Sequence, residues 1–485
     1  MFKDFLHISR PLGTLVMAFS AAFIPPLGFS MHYNEGAFNA YLWSMAGNFA
    51  LGLLMWWGGR GQRRELKSRD GFLLVALTWS VLAATAAVPL MIGLGLSFTD
   101  AYFETMSGFT TTGATVISGL DHIAHAHNLW RHELNWLGGL GIIGLAMAVL
   151  PLLGVGGMQV YRAESTGPIK DSKLTPRFVH TARSLWLIYV ALTAACIVAL
   201  KLAGMGWFDA VCHAFAALSL GGFSTHDASV GYFNSPLIEV VLIFFMLLAG
   251  INFATHFLAW RGKSLRPYLR DAEASVMLGL IVGSCVVLAG YLWFTGTYST
   301  YWTSFRYVSF NLVSMALDCG LVNTDFDRWP LFVPLWMLLL SCLASSAGST
   351  GGGIKMVRTL ILFKQSAREL FSLLHPSGMH TLKVGGQVIP DRTVLSVFGF
   401  IHLYTLSVIV LTFLLIISGM DFLSAVSAII STINNAGPGL REVGPATTYA
   451  VLTDFQTWVC TASMLVGRLE VFVLVVLMTP AFWRE

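Results

Sequence analysis

Long apolar runs alternate with short polar segments along the whole chain. Runs long enough to cross a bilayer fall at about 10–31, 38–58, 71–97, 131–153, 183–204, 236–260, 274–295, 331–361, 394–419 and 456–481. Each approaches or exceeds the roughly 20 residues that a hydrocarbon core requires of a helix, so the pattern predicts about ten spans. The first run follows basic residues, as in a signal peptide, but continues towards residue 30 without a convincing cleavage site and is read as a span. Four further segments lie between spans three and four, five and six, seven and eight, and nine and ten. They are FTDAYFETMSGFTTTGAT, WFDAVCHAFAALSLGGFST, FRYVSFNLVSMALDCGLVNT and FLSAVSAIISTINNAGPGL. They align without gaps on Gly113, Gly222, Gly320 and Gly437, at steps of 109, 98 and 117 residues. Each step accommodates two spans and one such segment.

The four segments are too short and too polar to span. Each reads as a short helix, begun in the first case by an N-cap such as Asp100, that ends in a glycine-containing loop. Non-helical backbone at membrane depth is tolerated only where it is buried in protein or lines a water-filled cavity. Four such segments around an axis would line one, with the partly negative C-terminal ends of their helices facing the centre, an arrangement suited to a cation. The expected fold is all-α and polytopic: two leading helices (1–66) and four repeats of span, re-entrant segment and span (67–180, 181–270, 271–385, 386–485). Backbone carbonyls supply oxygens of moderate strength for a dehydrated cation, and glycine permits the left-handed conformations that turn carbonyls to one side. The candidate ligands are therefore Thr111, Thr112 and Gly113; Leu220, Gly221 and Gly222; Asp318, Cys319 and Gly320; and Asn435, Ala436 and Gly437. Their unlike side chains suit a main-chain role, with Asp318 expected behind the ligating backbone or in a local hydrogen bond.

Composition narrows the class. Of the 485 residues 55% are hydrophobic and 11% charged, less than half the charge of soluble domains at about 25%. The net charge of +4 reflects topology and not nucleic-acid binding: 23 of the 29 Lys and Arg lie at the termini or near 59–70, 154–183, 261–273 and 355–393. The opposite side carries Arg131, Lys201, Arg306, Arg328 and Arg441. The positive-inside rule then puts both termini in the cytoplasm and the four glycine segments outside. The six cysteines stand singly and suggest neither disulfides nor a metal site. His122, His125 and His127 are read as surface histidines, and Glu104 and Glu133 as helix-packing or outer-mouth residues. No HExxH, paired catalytic carboxylates or Ser/His/Asp set lies in the spans, which argues against an enzyme, and no arginine ladder argues for a voltage sensor.

Span eight is interrupted by SSAGSTGGG, ending at Gly353, and then Ile354 and Lys355. Gly348 and Gly353 have the spacing of a phosphate loop, but the lysine comes one residue late, no Ser or Thr follows it and no strand precedes it. Three consecutive glycines at about 1 kcal/mol each do not hold a helix. An intramembrane loop on the inner side of the pore is expected, with Gly348, Ser349, Thr350, Gly351, Gly352, Gly353 and Lys355 forming a gate. Arg468, placed near the middle of the last span, costs about 2.5–3.5 kcal/mol to insert, and is expected either to face the pore interior as a barrier or to pair with a carboxylate or loop carbonyls that hold helices together. Glu470 lies on another helix face and does not pair with it.

TTTGATV, LGGFST, NNAGPGL and SSAGSTGGGIK resemble the TrkH-type subunits of the Trk/Ktr/HKT superfamily of potassium transporters. The resemblance extends over nearly the whole chain, including the two leading spans, while LDCG in the third repeat departs from the Thr-rich pattern. It implies potassium as substrate with no bound cofactor, a homodimer in the cell inner membrane, and regulation by a cytosolic nucleotide-binding subunit of TrkA type. A proton- or sodium-coupled symporter is the alternative, although coupled carriers more often show two-part inverted repeats and midplane carboxylates.

Overall fold

The computed structural model describes residues 2–60, 68–148, 178–376, 378 and 381–483. Most of the basic segments expected at 59–70 and 154–183 therefore lie outside the described residues. As far as they are described, all ten apolar runs form helices or broken helices; residues 149–153 of the fourth lie outside the described residues. The leading hairpin (Phe2–Phe19, continuing through Ile24–Tyr33, and Phe38–Gly58) packs closely because Gly13 and Gly52 face the opposing backbone. A Cβ on Gly13 would lie 2.5 Å from the Trp56 nitrogen, and small residues permit such approach in membrane helices. Asn48 Nδ2 donates to the Val16 carbonyl at 2.8 Å across the same seam.

Each repeat consists of a long helix, a short re-entrant helix and an inner helix. The long helices are Ser68–Leu94, Phe178–Leu202, Ala272–Phe294 and Asp391–Ile417. The re-entrant helices are Phe98–Phe109, Trp207–Ser219, Tyr301–Ala316 and Phe422–Asn434. The inner helices are His125–Ala148, Pro236–Gly250, Phe332–Leu343 and Asp454–Arg468. The first re-entrant helix is capped by Ser97, whose Oγ accepts from the Asp100 amide, so Asp100 lies in the first turn and is not the cap. Thr300 and Asp421 cap the third and fourth.

Among the described residues three of the four inner helices are broken, where the sequence pattern suggests continuous spans six and ten. Pro236–Gly250 meets Phe253–Gly262 at 95°, and Asp454–Arg468 meets Phe472–Met478 at 114°. Phe332–Leu343 stops at the glycine loop, and a helix resumes over Met356–Leu374. Arg468 is consequently the last residue of its helix, at a sharp bend. Hydrophobicity could not reveal these bends, since both arms stay apolar. Among the described residues five helices are long and apolar enough to cross a membrane, or seven with each bent pair as one. Phe332–Leu343 is too short, and His125–Ala148 carries Asn128, Arg131, His132, Glu133 and Asn135, all buried. One apolar core joins the second and third repeats, and another joins the leading hairpin to the first and fourth.

Candidate functional site

The four re-entrant helices end in the same way. Two residues before each glycine the backbone is left-handed, with φ of 52° at Thr111, 54° at Leu220, 62° at Asp318 and 60° at Asn435. The intervening residue donates its amide to the carbonyl five residues back, and the distance is 2.8 Å in every repeat: Thr112 to Ser107, Gly221 to Ala216, Cys319 to Ser314, Ala436 to Ser431. Such bonds satisfy carbonyls left open at a helix end. The glycine is then left-handed again, at φ 79°, 72°, 84° and 86°. Four unlike side-chain sets thus adopt one backbone, with left-handed residues at alternate positions.

Contacts between repeats close the segments into a ring. A Cβ on Gly113 would lie 2.5 Å from the Gly221 carbonyl oxygen, and one on Gly437 would lie 2.6 Å from that of Thr112. Gly222 abuts the carbonyl of Cys319, and Gly320 that of Ala436, more closely still. Each glycine therefore faces the carbonyl that precedes the next repeat's glycine, in the order one, two, three, four and back to one. Asn435 Nδ2 reinforces the closure by donating to Thr112 Oγ1 at 2.9 Å. Tyr449 Oη donates to the Gly437 carbonyl at 2.9 Å, and the Tyr449 amide donates to the Thr115 carbonyl. A cavity of about 210 Å³ opens over the ring and touches all four glycines.

On the opposite side lie the glycine loop and Arg468. The loop is pinned by Thr350 Oγ1, which donates to the Leu218 carbonyl at 3.1 Å, and by the Ala347 amide, which donates to Glu273 Oε2 at 2.8 Å. Gly351 faces the Leu317 carbonyl, Gly352 the Asn434 carbonyl, and Gly353 (φ 71°) the Ser341 carbonyl. Gly348 is left-handed too, at φ 71°, and Ser349 Oγ bonds back to the Ser346 carbonyl. Lys355 Nζ donates to the Gly351 carbonyl. The loop thus packs against the C-terminal ends of the second, third and fourth re-entrant helices. Arg468, 3% exposed, donates to the Thr350 carbonyl at 3.0 Å and to the Gly138 carbonyl at 3.3 Å. Glu470 instead pairs with Arg358 at 2.8 Å.

Several supporting residues were not evident from sequence. Glu104 and Arg131 form a buried ion pair at 2.7 Å, and Arg131 also donates to Thr115 Oγ1 and the Ser224 carbonyl, just beyond Gly113 and Gly222. Arg131 and Glu104 were visible only as separate charges beside apolar runs. Glu133 is buried, in keeping with the helix-packing alternative. His127 is likewise buried, 2.9 Å from Tyr41 Oη, whereas His125 pairs with Glu35. Among the described residues no three His, Cys, Asp or Glu are grouped to hold a metal ion.

The loops after Gly113 and Gly222 are clasped by His226, which pairs with Asp121 and lies 3.6 Å from Asp209. Asp227 accepts from the Gly119 and Leu120 amides. Burial alone would lower the His226 pKa, but the bonds and charges of Asp209 and Asp121 outweigh it and raise the value above the ordinary 6.5. A raised histidine pKa contributes stability that is complete below about 6.5 and lost as pH rises through the raised value. Exchange of the Gly119 and Leu120 amides, corrected for intrinsic rates, should accelerate across that upper range, and His226→Gln should remove the transition. Replacing Arg131 by Met should cost about 3–5 kcal/mol by leaving Glu104 buried and unpaired. A lowered thermal midpoint, partly restored by adding Glu104→Gln, is the expected reading.

Comparison with known proteins agrees with this architecture. The family model for TrkH, described as a cation transport protein, matches residues 39–484. The Trk system potassium uptake protein TrkH of Salmonella typhimurium is 46% identical over 99% of this chain and 100% of its own length. The protein TrkG of Escherichia coli K12 is 40% identical over 99% of this chain and 98% of its own. The crystal structure of the potassium transporter TrkH from Vibrio parahaemolyticus superposes with a TM-score of 0.91 at 42% identity, covering 99% of this chain and 100% of that one. The sequence and the ring of re-entrant segments both place this chain in the TrkH family of cation transport proteins.

Proposed function

We propose that this chain takes up potassium through the ring, which acts as a selectivity filter of backbone carbonyls at Thr111–Gly113, Leu220–Gly222, Asp318–Gly320 and Asn435–Gly437. The observation that carries this reading is the repetition of one strained backbone four times around one cavity. An ion entering a narrow ring must lose water, and fixed carbonyl dipoles replace that water without the tight hold of carboxylates. The printed names of the relatives, potassium uptake proteins and a potassium transporter, support potassium as the ion.

In this reading the loop from Gly348 to Lys355 and Arg468 are the gate. The C-terminal ends of the re-entrant helices carry partial negative charge, and the Arg468 guanidinium occupies the region beneath them. It offsets the field that would otherwise stabilise a hydrated cation there. Opening requires the loop to withdraw and Arg468 to exchange its carbonyl partners. The ring lies at the outward face and both termini at the cytoplasmic face of the inner membrane. The chain works as a homodimer, with a TrkA-type cytosolic nucleotide-binding subunit acting on the inner basic segments.

Ion flux through the purified chain in liposomes tests both parts. Gly113→Ser or Gly437→Ser forces a side chain into left-handed backbone against a carbonyl, and should reduce potassium over sodium preference at least severalfold. Arg468→Ala, or removal of Gly351–Gly353, should raise flux while preserving that preference. Unchanged selectivity in the glycine variants would refute the filter assignment. Unchanged flux in the loop deletion would refute the gate.

A further inference from the structure

Asp318 is the residue by which the third segment departs from the other three, and neither carbonyl ligation nor gating as described requires its side chain. It is fully buried at the left-handed position before Cys319. Its Oδ2 accepts from Ser345 Oγ at 2.9 Å. Ser345 begins the glycine loop, and Gly351, near its end, packs against the carbonyl of Leu317, the residue before Asp318, so one turn of the ring meets both ends of the loop. The fourth repeat explains why an acid stands here. Asn435, at the matching position, uses Nδ2 to reach the Met464 carbonyl on its own inner helix. Both side chains bolt the ring to the inner segment that follows. In the fourth repeat that segment is helix and offers a carbonyl, which a donor must meet. In the third it is broken, and offers the Ser345 hydroxyl, which a carboxyl oxygen accepts.

We propose that Asp318 is a positioning residue that latches the glycine loop to the ring. The latch rests on the gate reading above: opening must break the Ser345 bond. It also keeps the carboxylate off the ion path while the loop is seated. The groups around it are Ser345, Lys355 and Arg468 acting through their charge, Cys319 beside it on the same turn, and Cys342 and Tyr404.

Rubidium and sodium flux into liposomes, with the chain alone, tests the latch. Ser345→Ala removes one donor at little structural cost and should raise rubidium flux about fivefold, the change for about 1 kcal/mol from one hydrogen bond. Asp318→Asn should raise flux in the same direction, and the double variant should add little to the larger single effect. The rubidium to sodium ratio should hold throughout, which a side chain acting on the ion directly would not allow. Deletion of Gly351–Gly353 serves as the control for the gate itself. If the deletion raises flux but Ser345→Ala and Asp318→Asn do not, the latch is wrong and the gate stands. If the deletion leaves flux unchanged, the gate reading fails first. A changed ion ratio in Asp318→Asn with normal flux in Ser345→Ala would assign Asp318 to the ion path and overturn the latch.

Discussion

The contact on which the rest depends is a glycine against a neighbouring carbonyl, repeated four times. Gly113, Gly222, Gly320 and Gly437 each lie where a Cβ would collide with the carbonyl of the next segment. That closeness fixes the size of the ring, and left-handed φ at the same glycines fixes its direction. Both demands select glycine for separate reasons, one steric and one conformational. The remaining architecture holds four helix ends in these positions. Long helices flank the re-entrant ones, and the leading hairpin covers the first repeat. The Glu104–Arg131 pair and Tyr449 tie neighbouring loops across repeat boundaries.

Charge is arranged around the ring with equal economy. The side that carries the cavity has Arg131 tied to a carboxylate and His226 between two. The other side has Arg468 bound by backbone carbonyls alone among its recorded hydrogen bonds. A guanidinium held by carbonyls is easier to release than one held by a carboxylate, because its partners can turn to other donors or to a cation. In the proposed mechanism this difference separates a permanent brace from a movable one.

Much of the fold was legible because the four segments repeat. Gap-free alignment on glycine located all four re-entrant helices and the four glycines that meet neighbouring carbonyls, and the SSAGSTGGG run located the break in the third inner helix. The bends at Gly250–Phe253 and after Arg468 were not legible, since apolar residues continue through both. Nor were the pairings. Arg131 finds Glu104, 27 residues away, and Glu470 finds Arg358 across 112 residues. Sequence spacing on one helix carries no information about partners on another. His127 was misread for the same reason, because its exposure depends on Tyr41 in the leading hairpin.

The central claim is that a ring of carbonyls, by itself, conducts dehydrated potassium. Flux of potassium, rubidium, caesium, sodium and lithium through the purified chain in liposomes, with no proton or sodium gradient imposed, tests it most directly. The account predicts passive flux in which potassium and rubidium exceed sodium and lithium. Flux that appears only when a proton or sodium gradient is applied would contradict it, and would make the loop and Arg468 parts of a coupling mechanism instead of a gate.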